Sequence, residues 1–179
     1  SFTLFREAVG DWLTDKLWID ETIKENLKVP NSKILYSRHH LSHAASSFFC
    51  SPYDEAAILT LDGVGEWTTA AMGIGRGTQL TLEKEIRFPH SLGLLYSVFT
   101  SWLGFEVNEG EYKVMGMASY GRPLYADNVR KLLDLADDGS FWLDMKYFSY
   151  HQSMRQTFNQ RFIDLFGEPR DSKSNFFTP

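Results

Sequence analysis

His39 and His43, four residues apart in Arg38-His39-His40-Leu41-Ser42-His43, are the first residues here whose types and spacing could do chemistry. On a helix, positions i and i+4 share one face about a turn apart, so both rings can grip one metal ion. Imidazole suits zinc, iron, manganese or nickel. The pattern is not the zinc-protease signature H-E-x-x-H, because position 40 is His and that reaction's general base is missing. His40 falls elsewhere around the same helix. The same spacing also fits a hydrogen-bonded histidine cluster that holds no metal.

A second motif is Leu61-Asp62-Gly63-Val64-Gly65-Glu66-Trp67-Thr68-Thr69. An apolar strand ends in Asp-Gly-x-Gly, and a second strand begins with hydroxyl residues. Gly63 and Gly65 let the backbone approach a phosphate and present N–H groups to it. Asp62 can hold a metal or its water. No Gly-Lys-Ser/Thr follows, so this is not a Walker loop, and an ordinary hairpin turn fits the same residues. The third motif runs from Glu109 to Gly121 and includes Lys113. It mixes charges, aromatics and glycines in what reads as a binding loop or an irregular connection.

These residues need elements to position them. The spacing of Leu4, Phe5, Trp12, Leu13 and Leu17 predicts a helix. Asp20 is expected to cap a second one through Leu27, ended by Pro30. Ile34-Leu35-Tyr36 reads as a short strand and 39–49 as a small-residue helix. The apolar run 55–62 reads as a buried central strand, with a tight turn at Asp62–Gly65. Strands at 68–74 and 80–88 complete a meander. A helix over 92–103 stops at Gly104. Residues 105–122 read as loop, 126–136 as helix, 141–143 and 147–150 as a hairpin, and 152–166 as a final helix. From Gly167 onward a loose tail is expected.

The chain has 179 residues, enough for one domain with a real core. Its net charge of −5 argues against nucleic-acid binding driven by bulk charge. One cysteine, Cys50, leaves no intrachain disulfide and fits a reducing cytoplasm. No apolar run is long enough to span a membrane. The chain starts without Met and ends on Phe177-Thr178-Pro179, so it is expected to be an internal piece of a longer polypeptide, with 1–170 as domain and 171–179 as tail.

Taken in order, HHLSHAASSFF, LTLDGVGEWTT, EYKVMGMASYG and FGEPR resemble the O-carbamoyltransferases of the nodulation-protein and antibiotic-tailoring type. The resemblance covers about residues 34–170. It implies an α/β fold, part of an actin-like ATPase (ribonuclease-H-like) domain with a mixed sheet flanked by helices. It also implies a YrdC-like domain elsewhere in the polypeptide, which makes carbamoyl-adenylate from carbamoyl phosphate and ATP. The carbamoyl group then passes to a hydroxyl of a small-molecule acceptor. Carried over, His39 and His43 match two ligands of a divalent metal (iron, manganese or zinc), with a third, an Asp, expected in a later segment that lies outside these 179 residues. Asp62, Gly63 and Gly65 match the nucleotide side, and Glu66, Trp67, Thr68 and Lys113 are expected at the substrate. A general base is required, with His40, Asp62 and Glu66 as candidates. Two other readings are a transferase resembling the tRNA threonylcarbamoyl enzymes and a noncatalytic structural domain. The isolated piece is expected to be inactive.

Overall fold

The computed structural model describes residue 9 and residues 16–174. The helical pattern through Leu4, Phe5, Trp12 and Leu13 lies outside the described residues. A 3-10 turn (Lys16–Trp18) leads into α1 (Ile19–Leu27). Asp20 is not its cap: it sits in the first turn, and its carboxylate accepts from the Tyr36 hydroxyl. The helix stops before Pro30, because Lys28 turns left-handed at φ 53° and returns its N–H to Lys24 O. Residues 34–36 are extended but unpaired, with Leu35 91% exposed, so the short strand expected there does not form.

The next elements build the site. Helix α2 (His39–Phe48) is followed by β1 (Glu55–Gly65), β2 (Thr68–Arg76) and β3 (Gln79–Arg87), an antiparallel sheet in the order β1-β2-β3. Ala44 and Phe48 of α2 pack on Ile58 of β1. Phe48 lies so close over Gly75 of β2 that an added Cβ would meet its ring at 2.6 Å. Strand β1 was expected to be central but lies at the sheet edge. Its even positions Ile58 and Thr60 are buried, while Leu59 and Leu61 on the other face are 62% and 51% exposed. The strand also runs through the expected turn at 62–65. Its register shifts between Leu61 and Gly65, and the hairpin closes at Glu66-Trp67, where Glu66 takes the positive φ of 63° that such a turn needs.

Helix α3 (Leu92–Trp102) packs against β1 and anchors the main core. Ser91 caps it, its hydroxyl accepting from Leu94 N–H at 3.0 Å. Gly104 (φ 77°) ends it, with Phe105 N–H reaching Thr100 O and Gly104 N–H reaching Ser101 O. Leu95 and Val98 pack with Leu132, Leu143, Phe148, Phe162 and Phe166, flanked by Phe99 and Trp102.

Residues 111–118 form a helix, α4 (Glu111–Ala118), inside the expected loop. The Glu111 carboxylate accepts from Asn108 N–H and the Ser97 hydroxyl. The helix over 126–136 shortens to α5 (Ala126–Arg130), and β4 (Leu133–Leu135) pairs antiparallel with β5 (Phe141–Leu143) across a turn with Gly139 at φ 82°. Residues 147–150 do not form a hairpin with 141–143: 145–147 are a 3-10 turn and Phe148 makes an isolated bridge with Phe158. The last helix, α6 (Gln160–Phe166), starts only where Asn159 can cap it. Residues 167–170 are tied down: Arg170 N–H donates to Trp102 O, and Trp102 Nε1 donates to Gly167 O. Both described sheets are antiparallel, not mixed. Among the described residues no helix is long and apolar enough to cross a membrane.

Candidate metal centre

Helix α2 presents His39 and His43 on one face, as their spacing requires, and the end of β1 brings Asp62 against both. One ligand atom from each of the three lies within 4.8 Å of the others. His39 Nε2 contacts Asp62 Oδ2, His43 Nε2 stands 3.5 Å from that oxygen, and the two Nε2 atoms are 3.0 Å apart. Donors around one tetrahedral ion, at bonds of about 2.0 Å, stand about 3.3 Å apart, close to the two His43 separations, so opening the direct His39–Asp62 contact by about 1 Å would let the set hold one small divalent ion. Two imidazole nitrogens facing each other need a shared proton or a cation between them. Two nitrogens and one carboxylate oxygen suit zinc, iron or manganese.

Close backbone packing shapes this corner. A Cβ on Gly65 would meet His39 Cδ2 at 2.1 Å, so only glycine leaves room for that ring. A Cβ on Gly93 would meet Asp62 O and Gly63 N at 2.6 Å, which lets the start of α3 abut the end of β1. The fully buried Ser91 hydroxyl lies within hydrogen-bond reach of Asp62 O (3.0 Å) and Gly63 O (2.7 Å). Burial pushes the Asp62 carboxyl up. The bonds from His39 and Gly63 N–H, with the charges of His39 and His43, outweigh this and hold it below the usual carboxylate range. Asp62 is therefore an anion poised for a cation.

The structure sorts the other candidates. Glu66 joins His39 and His43 in lining an open cleft of about 480 Å³ with Ser37, Ser42 and Ser46. Gly63 N–H, expected to face a phosphate, donates to Asp62 Oδ1 at 2.6 Å. Trp67 is 71% exposed beside the Glu66 turn. Thr68 turns away from the cleft and donates to Glu85 Oε2 at 2.9 Å. Lys113 lies on α4 over the Phe105 and Tyr112 rings and does not line the cleft. His40, a candidate base, is 4% exposed, with both ring nitrogens engaged in the interior. It has no path to a solvent-borne hydroxyl, because the helix turns it onto the sheet.

Ser91, Gly93, Thr60 and Glu85 support the site and were not singled out from sequence. Only Ser91, two residues before a glycine and at the head of an apolar helix, carried a local signal, that of an N-cap. Glu85 accepts from Arg87 and Thr68 and pairs with Arg38, the residue that precedes α2, at 3.5 Å. Its bonds from Arg87 and Thr68 hold its carboxyl below the ordinary range.

Comparison with known proteins identifies the family of the chain. Residues 3–176 match the family model described as carbamoyltransferase N-terminus. An uncharacterised protein of Synechocystis, sll1178, is 50% identical over 97% of this chain, which spans 29% of that protein. The nodulation protein NolNO of Sinorhizobium fredii is 37% identical over 64% of the chain and 17% of its own length. NolO of Bradyrhizobium diazoefficiens is 35% identical over 58% of the chain and 19% of its own length. The metal-ligand geometry thus sits in a chain that belongs to the carbamoyltransferase N-terminal family and spans under a third of the length of these relatives.

Proposed function

We propose that the full-length polypeptide transfers a carbamoyl group from carbamoyl-adenylate to a hydroxyl of a small acceptor, and that this chain supplies its metal centre. The convergence of His39, His43 and Asp62 beside an open cleft, in a chain of this family, carries the reading. We extend the family resemblance to an actin-like ATPase domain that works with a YrdC-like domain elsewhere in the polypeptide.

In the transfer, the acceptor oxygen bonds to the carbamoyl carbon while the bond from that carbon to the adenylate phosphate oxygen breaks. AMP leaves, and the hydroxyl proton passes to a base. His39, His43 and Asp62 would hold a divalent ion, and when bound it would supply positive charge where the carbonyl and phosphate oxygens gain negative charge. The protein's own groups prepare the acceptor. Ser42 donates to Arg38 O at 3.1 Å and Ser46 to His43 O at 2.9 Å, so their oxygens face outward as acceptors. Together with the Glu66 carboxylate they make a wall that receives hydrogen-bond donors, which suits a hydroxylated molecule. Glu66 is the carboxylate among the residues that line this cleft and our choice of base. Among the described residues His39, His43 and Asp62 are the candidate ligands, and the resemblance places a further Asp ligand and the adenylate-forming YrdC-like domain elsewhere in the polypeptide, so the 179 residues alone should not turn over.

The test is acceptor-dependent AMP release by the full-length protein supplied with carbamoyl phosphate, ATP and a panel of hydroxylated acceptors. The His39→Ala/His43→Ala variant should lose a stoichiometric metal and at least about 100-fold of the rate, as expected when a charge-stabilising group is removed. A variant that keeps both metal and rate would refute the reading.

A further inference from the structure

Helix α2 is held unevenly. Its second half rests on apolar contacts, Ala44 and Phe48 against Ile58, which resist separation but not rolling. Its first half has no side-chain cap. Beside the exposed Arg38–Glu85 pair and the His39–Asp62 contact, what ties the buried side of that half to the sheet is His40. Its Nε2 stands 2.9 Å from Thr68 O on β2, and its Nδ1 stands 2.7 Å from Thr60 Oγ1 on β1. A carbonyl only accepts, so Nε2 carries the hydrogen. One ring thus fastens the helix to two strands at once, in a buried setting where directional bonds are strict.

The geometry carries this to the metal ligands. Residues advance by about 100° around a helix, so His40 points about 100° from His39 and about 60° from His43. Its ring centroid lies 5.6 Å from that of His39 and 6.2 Å from that of His43. Rolling or sliding α2 would swing both ligand nitrogens away from Asp62, and metal bonds tolerate only about 0.2 Å. We infer that His40 is a positioning residue: by bridging Thr60 and Thr68 it sets the roll of α2 that aims His39 and His43 at Asp62. This inference rests on the metal-centre reading above.

The test uses the full-length polypeptide and Co²⁺ alone, read by its visible ligand-field absorption and by titrated affinity. His40→Leu keeps the bulk and removes both bonds. It should fold with the same circular dichroism but bind Co²⁺ about 10-fold more weakly or worse, with an altered band, as for other groups that orient ligands. His40→Gln, which restores a donor toward Thr68 O, should recover much of that loss. Unchanged affinity in His40→Leu overturns the inference, as does equal weakening in His40→Leu and His40→Gln, which would mean that packing alone matters. If His40→Leu fails to fold, Thr60→Val decides: a several-fold loss supports the bridge and unchanged affinity overturns it. An unaltered protein that binds no Co²⁺ refutes the metal centre itself, and the inference with it.

Discussion

Helices α2 and α3 both pack on β1, yet they are held by opposite means. Helix α3 has a serine cap, a glycine stop and an aromatic floor, where Phe99 meets Phe162 at 5.3 Å and Phe166 at 5.1 Å. Helix α2 lacks a side-chain cap, buries only His40, Ala44 and Phe48, and relies on a histidine bridge for its orientation. Apolar packing supplies stability without fixing angles closely, whereas hydrogen bonds fix angles and add little net stability. The division fits a molecule that keeps its mass of stability on one side and its reactive geometry on the other.

That division can be broken from either side. Phe162 is fully buried and stacks 4.5 Å from Phe166. Phe162→Ala should cost about 3–5 kcal/mol in denaturant unfolding, while Co²⁺ affinity of the folded protein stays unchanged. Gly65→Ala should do the reverse. It drives a methyl into the His39 ring, and should weaken Co²⁺ binding at least about 10-fold while costing only about 1 kcal/mol of stability, because His39 is half exposed and can swing outward.

Glu85 sharpens the comparison through pH. Its folded pKa lies below the ordinary 4.5, so its contribution is present above that value and fades as pH falls through the lower folded value. Glu85→Gln should therefore lose up to about 1 kcal/mol at neutral pH, with the gap to the unaltered protein closing in acid, as read from melting temperature against pH. The smallest effect belongs to Gly116 in α4, where an added Cβ meets nothing within 4 Å. Gly116→Ala should raise stability by about 0.5–1 kcal/mol and leave the metal site alone.

The two regions also differed in how far the sequence exposed them. The His39/His43 pair, the three-strand meander and α3 with its Gly104 stop were legible, because helical spacing, strand length and turn chemistry are local signals. Asp62 was legible as a residue able to hold a metal, but its place beside this pair was not, because that arises only when β1 folds back beside α2. The apolar run of β1 reads as central, and nothing local says that its far side stays uncovered among the described residues. In the aromatic half, Leu132, Leu133 and Leu135 mimic a helix. The overruling signal was the Asp138-Gly139-Ser140 turn, where the Asp138 carboxylate takes both Ser140 N–H and its hydroxyl. Likewise Asn159 stops any helix from starting sooner, since its side chain claims Arg161 N–H. Lys113 drew attention as a charge in a glycine-rich segment, but the flanking Phe105 and Tyr112 rings account for its position.

The open rim of β1 has a practical side. Eleven residues long, with Leu59 and Leu61 facing water and, among the described residues, a hydrogen-bonded neighbour on one side only, it offers a ready template for another strand. A sample of these residues alone should turn cloudy as it is concentrated. A lysine at position 59 or 61 would be the first remedy to keep it clear.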